Sequence, residues 1–216
     1  MTAKNIIVTE SLFSSTGGIG LIIWWLMTPL FLPVADSTNN FQAMILDKDW
    51  VFINLIGLVS VILIALGFPG FYLKEFDKLN KSGFIGVILA STGLILFACI
   101  QYYETLIWPA AAEIDPELLD IKGALVSGNS HVAAGLLVSG AFLGLGYILF
   151  GISALRSKSF PKLPVWFLIV GAPVFGNGIL FPIRTLGLIL FSAGTIWLAN
   201  CIRKDSKKSY LKEVSE

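Results

Sequence analysis

The chain has 216 residues, of which 56% are apolar and only 13% charged, against roughly 45–50% and 25% in soluble chains. With a mean hydropathy of +0.82, a soluble globule of this size could not hide its apolar surface, so the composition points to a bilayer as solvent. The net charge of +1 excludes a strongly basic nucleic-acid footprint, and one His with two Cys exclude a zinc site built from several Cys and His ligands.

A helix needs about 20 apolar residues to cross ~30 Å of hydrocarbon, and six runs come near or exceed that length. The first is Leu12–Pro33, with Pro29 expected to kink it near its end. It is longer than the roughly 7–15-residue core of a signal peptide, only Lys4 precedes it, and Pro33-Val34-Ala35 is a poor cleavage site, so it is expected to be retained. The second run is Trp50–Tyr72 and the third Phe84–Trp108. The long connection that follows contains Asp115-Pro116-Glu117-Leu118-Leu119, which reads as a helix start with Asp as cap and Pro in the first turn. The fourth run is His131–Leu155, the fifth Pro164–Phe181 and the sixth Thr185–Ile202. All are continuous rather than alternating, which argues against strands. The expected fold is an all-α, polytopic bundle of six spanning helices forming one domain over residues 1–216. Residues 203–216 make a basic tail, expected to fray beside anionic headgroups.

Lys and Arg fix the orientation. With the N-terminus in the cytoplasm, twelve fall on the inner side, among them Lys74, Lys78, Lys81, Arg156, Lys158 and Arg203. Three, Lys48, Lys122 and Arg184, fall outside. The asymmetry requires an even number of crossings, and places both termini in the cytoplasm. The outer connections are acidic, but their spacing does not match an EF-hand loop. Trp50, Trp108 and Trp166 fall at helix ends, as an aromatic belt requires, whereas Trp24 and Trp25 lie deeper and are expected to pack against neighbours. Cys99 and Cys201 lie at different depths, so no disulfide is expected.

Small residues mark helix contacts, because close backbone approach holds helices together in lipid. Gly86, Ala90 and Gly93 form a stripe on the third run, and Gly140 and Gly144 form a GxxxG pair on the fourth. The pair serves packing within the bundle or, alternatively, a homodimer. Three runs before the long outer connection and three after it would set two halves in opposite orientations, but no sequence similarity between the halves accompanies this.

The third run's stripe continues outward through Gln101, Glu104 and Trp108 at helical spacing. Thr28, Asn54, Tyr102, Tyr103, His131, Asn177 and Arg184 fall at a similar depth, while the inner half of the bundle has little comparable. A charge inside the membrane costs free energy unless paired or hydrated, and Arg184 is the natural partner of Glu104. His131 could join them and titrate near neutral pH. The plainer readings are that Glu104 and Arg184 reach outward as interfacial anchors, or form a structural salt bridge without a ligand. The fifth run carries Gly171, Pro173, Gly176 and Gly178 close together, the pattern of a kinked helix or of a broken helix lining a cavity.

Tyr102-Tyr103-Glu104-Thr105-Leu106-Ile107-Trp108-Pro109, then Asp115-Pro116-Glu117-Leu118, then Gly146-Tyr147-Ile148-Leu149-Phe150-Gly151, Leu155-Arg156 and Phe160-Pro161 together resemble a broad group of uncharacterised bacterial six-helix membrane proteins. The resemblance implies six helices and a multi-pass place in the bacterial inner membrane. It implies no activity and no catalytic residue.

Three functions compete. The first is an outward-facing polar and aromatic pocket that binds a small amphipathic ligand or ion in transport or sensing. Its candidate residues are Glu104, Arg184, His131, Gln101, Tyr103, Asn54, Asn177 and Trp108. The second is an intramembrane enzyme acting on a lipid or isoprenoid, with Glu104 and His131 as acid and base. HExxH, GxSxG and paired acidic metal ligands are all absent from the sequence, so the balance leans away from catalysis. The third is an accessory subunit that packs on another membrane protein through Gly140 and Gly144. No cofactor or metal is expected, since a single His cannot give bis-His haem ligation. Membrane lipids are the expected partners, and nucleic acid is not.

Overall fold

A computed structural model describes residues 3–34, 41–120, 123, 125–126, 129–158, 160–177 and 181–215. The elements in chain order are α1 (Ala3–Phe31), α2 (Phe41–Ile45), α3 (Trp50–Gly67), α4 (Pro69–Lys74) and α5 (Lys81–Tyr102). A π-helical turn (Tyr103–Ile107), α6 (Trp108–Ile114) and a 3-10 turn (Pro116–Leu119) follow. Then come α7 (Ser130–Ser157), α8 (Lys162–Asn177) and α9 (Phe181–Ser215). No strand occurs among the described residues.

Among the described residues, five helices are long and apolar enough to cross a membrane: Asn5–Phe31, Trp50–Lys74, Lys81–Ile114, Ser130–Ser157 and Ile183–Ser206. The sixth, Lys162–Gly176, is apolar but shorter. This is the helix pattern of a membrane protein. The outward faces agree with it. Leu30, Phe52, Leu66 and Leu137 are all more than half exposed, which suits lipid and would be a liability in water.

The helices close into a ring in which each of the long ones packs between two others, in the order α1, α3, α5, α7, α8, α9 and back to α1. Short α8 is therefore a full member of the bundle. Local sequence explains the joints. Phe68 keeps helical dihedrals between α3 and α4 while Pro69, which has no N–H to donate, opens the next helix. Asn80 caps α5, its Oδ1 accepting from the Gly83 N–H at 3.1 Å. Asp115 caps the 3-10 turn as the sequence suggests, accepting from the Glu117 N–H at 3.1 Å.

The α5–α7 seam is the most extensive contact, and glycine makes it possible. A Cβ on Gly93 would stand 2.7 Å from the Leu143 Cα, and one on Gly146 would stand 2.5 Å from the Ala90 Cα. Toward the joint between α3 and α4 the ring is filled with aromatic side chains. Tyr147 of α7 lies 4.5 Å from Phe68 and 5.1 Å from Phe191 of α9, centroid to centroid, and all three are fully buried.

Three expectations change. Gly140 and Gly144 face α8, not an open surface: Pro173 lies 3.2 Å from a Cβ built on Gly144, and the Gly140 Cα lies 3.2 Å from one built on Gly176. A homodimer or accessory contact through this pair would have to displace α8. The third run does not stop at Trp108 but continues to Ile114. The tail does not fray at Arg203, because α9 runs to Ser215. No Gly or Pro follows Gly194 to stop it, and a 2.5 Å ion pair between Lys74 and Asp205 ties its start to α4.

Candidate functional site

The site begins with a defect in α5. Pro109 cannot donate a backbone hydrogen bond, and in an α-helix its ring would press on the carbonyl of Thr105 four residues earlier. The chain responds with the π turn over Tyr103–Ile107, in which the Trp108 N–H reaches back to the Tyr103 carbonyl. One extra residue is thereby accommodated, and the backbone carbonyl of Glu104 accepts the indole N–H of Trp50 at 3.1 Å. Such turns recur at functional sites.

Around this turn lies a cavity of about 270 Å³ between α1, α3, α5 and α9. Four of the chain's six tryptophans, Trp24, Trp25, Trp50 and Trp108, line it. Asn54, Gln101, Glu104 and Arg184 supply its polar groups. Phe41 and Met44 of α2 close it from the outer connection, and the Gln42 amide donates to Asp120 Oδ1 at 2.6 Å, tying that roof to the far side.

Most of the polar wall is satisfied within the protein. Asn54 Oδ1 accepts from Trp24 Nε1 at 3.2 Å and from Gln101 Nε2 at 3.4 Å, while Asn54 Nδ2 donates to the Trp50 carbonyl at 3.0 Å. Trp25 Nε1 donates to Thr185 Oγ1 at 2.9 Å. Two donors are left over. Arg184 Nε and Trp108 Nε1 are buried without a hydrogen-bond partner. The Arg184 guanidinium lies between the faces of Trp25 and Phe175, 5.8 and 5.7 Å from the ring centroids.

The expected Glu104–Arg184 salt bridge is not formed. Among the described residues the two make no ion pair within 4.0 Å, although they line the same cavity and their charges act on each other.

The single hollow expected from sequence is in fact two. His131 and Tyr103 line a wider, mostly apolar cavity of about 390 Å³ between α5 and α7, which Arg184 does not line. Glu104 and Trp108 line both. His131 is itself exposed, and its backbone N–H is capped by Asn129 Oδ1 at 2.8 Å. The Asn177 side chain lies outside the described residues. The structure thus brings together Glu104, Arg184, Gln101, Asn54 and Trp108 around one cavity, and places His131 and Tyr103 with Glu104 and Trp108 around the other.

Sequence reasoning placed Trp50 and Trp108 in a lipid-facing belt, but both are buried, 5% and 6% exposed, and stack at 6.4 Å. Trp166 is exposed, as a belt residue should be. The signal for Trp50 was present: it precedes Asn54 by one helical turn and so shares its face. Nothing in the sequence marked Phe41 and Met44. Among the described residues no group of three His, Cys, Asp or Glu could hold a metal ion. No protein-family model matches the chain, and neither the curated proteins nor the solved structures contain one that it resembles.

Proposed function

We propose that the chain is a six-crossing protein of the bacterial inner membrane, with both ends cytoplasmic, whose outer half binds a small amphipathic ligand in transport or sensing. The observation that carries the reading is the tryptophan-walled cavity with a carboxylate and a guanidinium on its wall that do not neutralise each other by contact. Ionisable groups inside a membrane bundle are costly and are kept for function, and a concave apolar site with a few convergent polar groups is the form that small-molecule sites take. The twelve-to-three distribution of Lys and Arg supports the orientation. The place of α8 in the ring supports its counting as the sixth crossing, since 16 residues reach ~24 Å at 1.5 Å per residue.

Thermal unfolding of the purified protein against a panel of small amphiphiles tests the binding. A ligand that raises the midpoint of the wild type should raise that of Glu104→Gln less. Equal shifts in both proteins for every ligand would remove the site. The topology is tested with single cysteines at positions 120 and 158 in a protein whose Cys99 and Cys201 are replaced by alanine. An impermeant thiol reagent added to intact cells should label the first and not the second.

A further inference from the structure

We propose that the ligand of the tryptophan-walled cavity is a small zwitterion, bound with its anionic group toward Arg184 and Trp108 and its ammonium group toward Glu104 and the indole faces. The proposal rests on the binding reading above and narrows it to one chemical class.

Two independent observations define the anionic end. Arg184 Nε and Trp108 Nε1 are buried donors without acceptors, and a buried donor left unpaired forfeits its hydration with nothing in return. Both residues line one cavity, so a ligand that brings acceptor atoms there would satisfy both. Arg184 also stands in the first turn of α9, which carries no acidic residue. The positive end of the helix therefore adds to the field of the guanidinium.

The cationic end follows from what surrounds Glu104. Its backbone carbonyl is taken by Trp50, whereas its carboxylate makes no hydrogen bond among the described residues. Four indoles and Phe41 make up much of the remaining wall, and aromatic faces attract ammonium and quaternary ammonium groups. Arg184 does not serve as that cation here, since it makes no ion pair with Glu104 and sits over the Trp25 and Phe175 rings instead. A purely anionic ligand would leave Glu104 facing it unpaired, and a purely cationic one would leave Arg184 so. A zwitterion balances both. A cavity of about 270 Å³ stands at the lower end of the ~300–1,000 Å³ of small-molecule sites, so the ligand is a small molecule and not a whole lipid.

The test uses the full chain in dodecyl maltoside and reads tryptophan emission during titration. Three probes of nearly the same shape are compared: glycine betaine, which carries both charges; choline, which lacks the carboxylate; and tert-butylacetate, which lacks the ammonium. Uncharged 3,3-dimethylbutanol serves as the apolar control. Glycine betaine should bind at least tenfold more tightly than either singly charged probe. Glu104→Gln should abolish its advantage over tert-butylacetate, and Arg184→Gln its advantage over choline, with Arg184→Lys intermediate. The comparison among probes in the wild type needs no variant to fold. If betaine binds no better than either singly charged probe, the zwitterion assignment is overturned. If only dimethylbutanol changes the emission, that assignment falls while an amphiphile-binding cavity stands. If none of the four has any effect, both readings fall.

Discussion

The seam between α5 and α7 can be tested by a pair of identical substitutions on one helix. Gly146→Ala would place a methyl group 2.5 Å from the Ala90 Cα and 2.8 Å from its Cβ. Carbon atoms pack comfortably at about 3.5–4.0 Å, so the helices would have to part by ~1 Å, and Ala90 is fully buried and cannot rotate aside. Overpacking of this kind costs about 1–3 kcal/mol, offset by about 1 kcal/mol of improved helix propensity. Gly135→Ala, two to three turns earlier in α7, meets nothing within 4 Å and should keep the propensity gain alone. At about 2–4 °C per kcal/mol for a chain of this size, Gly146→Ala should lower the unfolding midpoint by up to about 8 °C, and Gly135→Ala should raise it by about 2–4 °C. Thermal unfolding followed by circular dichroism in dodecyl maltoside reads both. Equal midpoints for the two variants would refute the account of this seam as one set by backbone contact.

Asn54→Leu strands the Trp24 indole and the Gln101 amide and should cost about 1–2 kcal/mol, seen as a lower unfolding midpoint together with a changed tryptophan emission maximum. Pro109→Ala removes the clash that maintains the π turn. The outer end of the helix should then turn by about 100° and carry Trp108 away from the cavity. Binding of a cavity ligand should weaken at least fivefold, while the unfolding midpoint moves by less than about 3 °C. Lys158, the C-cap of α7, has a φ of 56°, a left-handed conformation that a side chain rarely adopts. Lys158→Gly should therefore stabilise by about 0.5–1 kcal/mol, measurable in the same unfolding experiment.

Much of the bundle is legible in the amino-acid order, because lipid imposes length and hydropathy on every crossing. The starts of α3 at Trp50 and α7 at Ser130 fall within one residue of the apolar runs, and α8 begins two residues before its run. The site is legible only in part. Gln101, Glu104, Asn54 and Arg184, grouped in the sequence by spacing and depth, line one cavity with Trp108, but Trp108 reaches it through the π turn and not through α-helical spacing. Depth says nothing about azimuth, however, so His131, which shares a cavity with Glu104 and Trp108, was grouped with Asn54, Gln101 and Arg184, which do not line that cavity. Charge complementarity suggested a Glu104–Arg184 contact, but the competing attraction of Trp25 and Phe175 for the guanidinium depends on three helices meeting, which no local pattern records. Pro109 was visible and read as a stop. Its actual effect, a change of hydrogen-bond register within a helix that continues, depends on Trp50 being present to take the Glu104 carbonyl.

A π turn is topologically an α-helix that has gained one residue. A chain shortened by one position between Gln101 and Pro109 could keep the register of the flanking helices and lose only the bulge. The partition separating the two chambers is thus modular. Insertion or deletion of a single codon would reshape it while the glycine seam and the aromatic plug beneath stayed in place, so the shape of the two chambers can change without the rest of the bundle being rebuilt.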